Sequence, residues 1–203
     1  MEITCITVGS FSENAYFVVE GKDAIAIDPG DQSRQLIDWL EKRDVSLGAI
    51  ICTHAHLDHV GAVQAMSKKT GAPFLIHKDD APMLASVPSQ ALLFGLTGRP
   101  APKPDRLLED QEELRFGSLN FQVLHTPGHT PGGICLLSGG VLFSGDTLFA
   151  GSVGRTDLPG GSHSQLILSI HDRLMTLEDS VLVYPGHGPS TTIGAEKSGN
   201  PFL

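Results

Sequence analysis

Residues 49–61 read AIICTHAHLDHVG, an apolar run from Ala49 to Cys52 followed at once by three histidines and an aspartate within six positions. A short apolar run of this kind is a buried strand, so His54, His56, Asp58 and His59 fall where a strand gives way to a loop. Unprotonated imidazoles and a carboxylate attract a divalent cation, whereas four such groups without one compete for the same few hydrogen-bond partners. The stretch predicts a metal site, and the rest of the chain must supply its missing ligands.

Outward from this point, strand and helix periods alternate. On the N-terminal side, Ile3 to Val8, Ala15 to Glu20 and Ala24 to Ile27 are short apolar or alternating runs broken by Gly9-Ser10 and Gly21-Lys22, as antiparallel strands are. DPGDQSRQLIDWLEKRD, residues 28–44, changes period: Leu36, Trp39 and Leu40 recur at helical spacing, with Asp31 or Ser33 as the cap and Trp39 in the core stripe. After the ligand cluster, read as a loop, a helix begins at Val60 with Asp58 near its N-terminus, and Pro73 to His77 is a further strand. VPSQALLFGLTGRPAPKPD, residues 87–105, is rich in Pro and Gly and reads as a long surface excursion of the kind that borders active sites. The second half repeats the order, with strands near Leu107-Leu108, Asn120 to Leu124, Ile134 to Leu137 and Val141 to Ser144, a helix about Ser164 to Leu177, and the strand Val181 to Tyr184.

That second half carries further ligand candidates, each at a strand-to-loop junction. HTPGHTPGG offers His129, SGDTL offers Asp146 just past a strand, and YPGHG offers His187 just past another. A rigid sheet can hold side chains from distant segments together at such junctions while leaving room for substrate.

Composition excludes several classes. The 203 residues, 40% hydrophobic and 18% charged, describe a folded globular chain with a sizeable core. Fourteen Lys plus Arg against 23 Asp plus Glu give a net charge of −9, which offers no basic field to a nucleic acid. The opening residues show neither a basic n-region nor a long apolar h-region, and no stretch approaches the roughly 20 apolar residues that span a bilayer, so a cytoplasmic protein without a membrane partner is expected. Cys5, Cys52 and Cys135 are odd in number and far apart, which predicts reduced, buried thiols.

Together these motifs resemble the metallo-β-lactamase superfamily, whose H-x-H-x-D-H hallmark is met by His54, His56, Asp58 and His59; the resemblance runs on through Asp28 in IDPG, His129, Asp146 and His187. It implies an α/β fold, a four-layered αββα sandwich of two mixed sheets, as a single domain over residues 1–203. It implies two divalent metal ions, zinc first with iron and manganese as alternatives: His54, His56 and His129 on one, Asp58, His59 and His187 on the other, and Asp146 bridging them. A hydroxide shared between the ions would have its pKa lowered from ~15.7 toward ~7 and serve as nucleophile, which makes Asp58 and Asp146 the catalytic carboxylates. Asp28 is expected to orient a ligand histidine or a backbone amide, with a buried turn aspartate as the plainer reading.

Within the superfamily the chain is most similar to the compact type II glyoxalases, the hydroxyacylglutathione hydrolases, through HTPGHTPGG, SGDTLF, GSVGRTD, YPGHG and the ending NPFL. The resemblance implies hydrolysis of a small-molecule thioester such as S-lactoylglutathione, with Arg155 meeting a substrate carboxylate or supporting the site through Asp157. Long members add a C-terminal helical domain with glutathione contacts; here loop 87–105, with Arg99 and Lys103, or a neighbouring subunit would have to supply them, and a monomer and a homo-oligomer are equally compatible with the sequence. The alternatives are a persulfide dioxygenase with one iron on His54, His129 and Asp146, a lactonase, and a non-catalytic metal-binding scaffold. A β-lactamase is disfavoured because those enzymes are usually exported. The other histidines receive ordinary roles: His77, His163 and His171 face solvent or are satisfied in the core, and His125, four residues before His129, is placed to support a ligand though nothing in the sequence requires it to. EDQEEL, residues 109–114, reads as a solvated turn.

Overall fold

The computed structural model describes residues 1–98 and 100–203; Arg99, which the sequence offers as a glutathione contact, lies outside the described residues. Two compact units form, one from residues 1–108 with 115–119 and the other from residues 109–114 with 120–203.

The first unit is built on a mixed six-stranded sheet in simple sequential order. β1 (Glu2–Val8), β2 (Glu13–Glu20) and β3 (Asp23–Ile27) run antiparallel, and β4 (Ser46–Ile51), β5 (Phe74–His77) and β6 (Arg106–Leu108) then follow β3 in parallel. Parallel neighbours need crossovers, and helices supply them. These are α1 (Ser33–Arg43) before β4, α2 (Leu57–Val60) and α3 (Val63–Thr70) before β5, and α4 (Val87–Leu93) before β6. Because β2 to β5 are buried almost throughout, their apolar runs do not alternate cleanly. Phe17, Ile50, Phe74 and Ile76 pack with Leu36 and Leu40 of α1 and Met66 of α3, each burial contributing about 1.5–3 kcal/mol. Trp39 joins this stripe as expected, stacked on Phe17 at 4.3 Å with Arg43 over its other face.

Ile27 ends β3 directly opposite Ile51 at the end of β4. Asp28 and His54 therefore leave the same edge of the sheet, at the carboxyl ends of parallel strands, where open α/β sheets bind ligands.

A second mixed sheet has the order β14 (Thr191–Thr192), β13 (Leu182–Pro185), β10 (Val141–Gly145), β9 (Ile134–Ser138), β8 (Leu119–His125), β7 (Glu113–Phe116). β10 and β13 are parallel and joined through α5 (His163–Ser169), whose last turn widens into a π-helical segment, Ile170–Leu174. A short hairpin of β11 (Leu148–Phe149) and β12 (Ser152–Val153) precedes α5, and α6 (Ile193–Gly199) closes the chain. The second unit's core gathers Leu124, Cys135, Leu142, Leu166, Ile170 and Val183. Two large mixed sheets with helices are the components the αββα expectation calls for.

Several local expectations are corrected. Neither Asp31 nor Ser33 caps α1: the position before the helix is Gln32, in a left-handed conformation at φ 48°, and Asp31 instead accepts from the Gln32 amide at 2.6 Å. Asp58 and His59 lie on a helical turn, α2, because Gly61 and Ala62 separate that turn from α3. The stretch 87–105 is not all irregular, since α4 occupies its first seven residues with Pro88 in the first turn, where a missing amide costs nothing. Leu107-Leu108 belongs to the first sheet, beside β5, and Glu113 and Leu114 start an edge strand within the supposed turn. His163 is the first residue of α5 rather than a residue ahead of it. Cys52 and Cys135 are buried as expected, but Cys5 is exposed on the outer strand β1.

Candidate metal centre

In the first unit the backbone is pressed into place by glycines. A Cβ on Gly30 would lie 1.5 Å from the Asp58 carbonyl oxygen, and one on Gly61 would lie 2.2 Å from the Gly30 carbonyl oxygen. The IDPG turn and α2 are thus in main-chain contact. Three further bonds hold the loop between β4 and α2: Ala55 donates its amide to the buried Asp80 at 2.8 Å, Leu57 donates to Gln90 Oε1 at 2.9 Å, and Gln90 Nε2 donates to the Ala55 carbonyl at 3.3 Å. Asp80, which ends HKDD, and Gln90, which ends VPSQ, escaped the sequence reading; each lies in a segment with no motif.

His54, His56 and His59 are buried, their rings within 4.8 Å centroid to centroid, His54 to His56, and 4.0 Å, His54 to His59. Their tautomers follow from their neighbours. Asp28, in a left-handed conformation that aspartate tolerates, accepts the Thr53 amide at 2.6 Å and the Thr53 hydroxyl at 2.7 Å. Having given its only hydrogen to Asp28, that hydroxyl can only accept from His54 Nδ1, 3.0 Å away. Asp28 Oδ2 also lies 3.1 Å from His59 Nδ1, with Glu13 Oε1 at 4.0 Å. His54 Nδ1 thus carries hydrogen, and the Asp28 carboxylate beside His59 Nδ1 favours hydrogen there too, which leaves the Nε2 nitrogens of both to act as ligands. His59 Nε2 stands 4.0 Å from Asp58 Oδ2.

Glu13 is fully buried and groups with Asp28 and His59, their ligand atoms within 4.8 Å of one another. Nothing in ENAYFVVE singled it out, because a glutamate opening a strand looks like a solvated one.

In the second unit the three candidates come together around Asp146. β10 and β13 lie side by side, tied past their ends by the Gly186 amide donating to the Gly145 carbonyl at 2.9 Å, so Asp146 and His187 leave neighbouring strands. His129 Nε2 and His187 Nε2 lie 3.5 and 3.6 Å from Asp146 Oδ2. His129 Nδ1 donates to the Arg155 carbonyl at 2.7 Å, fixing its Nε2 as the bare nitrogen. Gly128, at φ 139°, lets this loop touch α5: a Cβ there would meet the Leu166 amide nitrogen at 2.3 Å. Arg155 contributes its carbonyl to His129, while its guanidinium makes an exposed bidentate pair with Asp157 at 2.7 Å and draws that carboxyl down to about 2. His125 bonds the Pro131 carbonyl at 3.0 Å, and its amide donates to Asp110.

The donor sets fit a metal. A lone-pair nitrogen and a carboxylate oxygen at 3.5 Å repel one another unless a cation or proton sits between them. Two ligands each ~2.0–2.2 Å from one ion at a tetrahedral angle stand about 3.3–3.6 Å apart, which is the spacing found around Asp146. Buried imidazoles whose other nitrogen is held by a carboxylate, a hydroxyl or a main-chain carbonyl are the pattern of metal-binding histidines.

The family model of the metallo-beta-lactamase superfamily matches residues 8–187. The chain is 41% identical over 208 residues to the hydroxyacylglutathione hydrolase GloC of Haemophilus influenzae, covering all of this chain and 98% of that protein. Among solved structures it is similar to the BLEG-1 B3 metallo-beta-lactamase, at 40% identity, a TM-score of 0.94 and coverage of 100% and 99% of the two chains. It is similar to TTHA1623 in a di-iron-bound form, at 42%, 0.92, 98% and 100%. It is also similar to ETHE1 from Myxococcus xanthus, at 31%, 0.85, 99% and 84%.

Proposed function

Since this chain belongs to the metallo-β-lactamase superfamily, a superfamily of enzymes that bind divalent metal ions, we propose that it is a metallo-hydrolase acting on a thioester of the hydroxyacylglutathione class. The observation that carries the reading is the bare-nitrogen geometry of the two half-sites, with the 41% identity to GloC pointing to the thioester. We assign His54, His56 and His129 to one ion, Asp58, His59 and His187 to a second, and Asp146 to both, all within one domain of 203 residues. Zinc is the metal we favour from the nitrogen-rich donor set, with iron or manganese as substitutes; the di-iron form of TTHA1623 supports a two-metal site.

When bound, the ions supply Lewis acidity toward the thioester carbonyl and a nucleophilic water at neutral pH. The chain's own residues fix where this happens. Asp28 and Thr53 hold His59 and His54 in one tautomer, the Arg155 carbonyl does the same for His129, and the glycine contacts keep the ligand-bearing backbones from shifting. The leaving thiolate needs little protonation, because a thiol's pKa is only ~8.5, so no dedicated general acid is required. The substrate is a small molecule, and the charge of −9 argues against nucleic acid. No helix among the described residues is long and apolar enough to cross a membrane, and all three cysteines are free, which supports a cytoplasmic setting.

A second reading, a mononuclear-iron persulfide dioxygenase, draws on the two-histidine, one-carboxylate set within the same residues and on the iron accepted by TTHA1623. Metal analysis of the purified protein, paired with an S-lactoylglutathione assay in air and under anoxia, separates the two. Two metals per chain and oxygen-independent cleavage are expected. Oxygen uptake on glutathione persulfide, with no thioester cleavage, would sink the hydrolase.

A further inference from the structure

The first unit contains a concave pocket of about 390 Å³. The turn after β1 (Ser10, Phe11), the start of α1 (Ser33), parts of α2 and α3 (Leu57, Val60, Ala65) and residues after α4 (96–98 and 100–102) wall it. Asp58, assigned above to a metal, stands in this wall. A group entering the pocket therefore lies beside this one assigned ligand.

Three observations describe what fits. The first is size. A lactoyl group has five non-hydrogen atoms, and even at the ~30 Å³ a water molecule occupies in the liquid it would fill about 150 Å³. The pocket is more than twice that and falls within the ~300–1,000 Å³ of drug-sized sites. The second is charge. Among the described residues lining it, Asp31 and Asp58 are charged, and no lysine, arginine or histidine is present. The carboxylates of Asp31 and Asp58 disfavour an anionic group placed beside them. The third is texture. Val60, Ala65, Val87 and Leu96 give apolar walls, Ser10, Gln64 and Thr97 give a few neutral polar groups, and Phe11 meets Phe94 edge to face at 5.0 Å. The floor is rigid, since Gly30 and Gly61 form the close main-chain contact described above.

We propose that this pocket receives the acyl side of the substrate and selects uncharged acyl groups larger than lactoyl, namely aliphatic chains of about six carbons and aryl acyl groups. The inference rests on the thioesterase reading. Each buried methylene is worth about fourfold in kcat/KM, so three added methylenes give up to about sixtyfold and at least tenfold if burial is partial.

The test is a series of S-acyl glutathiones, propanoyl, lactoyl, hexanoyl, mandeloyl and succinyl, assayed on the metal-loaded protein and on Ala65→Leu. Ala65 is an exposed α3 residue in the pocket wall, and leucine ranks just below alanine as a helix former, so the variant should fold. Expected are a hexanoyl-to-propanoyl ratio of at least ten, succinyl cleaved more slowly than propanoyl, and collapse of the hexanoyl ratio below three in Ala65→Leu. Calorimetric binding of neutral hexanamide, lost in Ala65→Leu and absent for hexanoate, gives a readout independent of turnover. A flat chain-length series, a hexanoyl ratio untouched by Ala65→Leu, or faster cleavage of succinyl would overturn the proposal. No cleavage of any thioester, with hexanamide still bound and displaced by leucine, would take down the hydrolase reading while supporting the pocket.

Discussion

The two units would contribute the proposed ligands in opposite ways. The first offers four from one six-residue segment, His54 to His59, whose three histidines are buried while Asp58 is partly exposed, and whose backbone is clamped by Gly30, Asp80 and Gln90. The second offers three from residues 129, 146 and 187, each on a different connection, with His129 buried and Asp146 and His187 partly exposed at two neighbouring strand ends. A local cluster has its geometry set by a few backbone torsions. A dispersed one has its geometry set by a sheet register, and so depends on the folding of the whole unit.

The sharpest way to break the comparison is to remove one carboxylate from each side. In the second unit Asp146 is the group both His129 and His187 approach, at 3.5 and 3.6 Å, whereas in the first Asp58 stands 4.0 Å from His59. Asp146→Ala is expected to lower kcat/KM about a thousandfold or more, reflecting the several kcal/mol a Lewis acid supplies, and to reduce bound metal from two ions toward none. Asp58→Ala should retain close to one ion per chain. Elemental analysis after gel filtration decides it; equal retention in the two variants would show that Asp146 does not join the half-sites.

A smaller effect sharpens the role of the buried support. Asp28 accepts from Thr53 and lies 3.1 Å from His59 Nδ1, so it holds two ligand histidines at once, one through the Thr53 hydroxyl. Asp28→Asn keeps the shape but puts an amide N–H or a weaker acceptor against His59. A 10–100-fold loss of metal affinity is expected, measured by chelator competition, with the secondary structure intact by circular dichroism. Wild-type affinity in this variant would reduce Asp28 to a turn aspartate, the plainer reading of IDPG.

These two effects also mark how much the sequence could reveal. The crowded histidines of 54–59 point to a metal unaided, because four such groups in six positions compete for the same few hydrogen-bond partners. His129, Asp146 and His187 are visible as strand-end residues, but only the family resemblance joins them, since a register cannot be counted from spacing. The strands of the first sheet were legible because they are continuous apolar runs bounded by glycine. The position of Leu107-Leu108 was not, because a three-residue strand carries no sign of which sheet will pair it. Glu13, Asp80 and Gln90 stayed hidden for a related reason: a polar residue turned inward is recognised by its partner, and the partner lies 25 or more residues away for Asp80 and Gln90.

The smallest effect concerns Arg155, where sequence reading expected a side chain and the structure shows a main-chain role as well. His129 is oriented by the Arg155 carbonyl, at 2.7 Å, which any residue would provide. The guanidinium is exposed and spends its hydrogen bonds on Asp157, whose carboxyl it pulls down to about 2. That depressed carboxyl contributes its full share of stability above its ordinary value near 3.8 and loses it as pH falls through about 2. Solvent screening keeps it small throughout. Arg155→Ala is therefore expected to keep both metals and to melt within about 2 °C of wild type at pH 7. Any change should fall on KM for carboxylate-bearing thioesters and leave kcat alone, the mark of a substrate contact outside the chemistry. Loss of metal in Arg155→Ala would mean that the exposed pair, and not the peptide carbonyl, positions His129, and would erase the contrast between a backbone-held and a side-chain-held half of the centre.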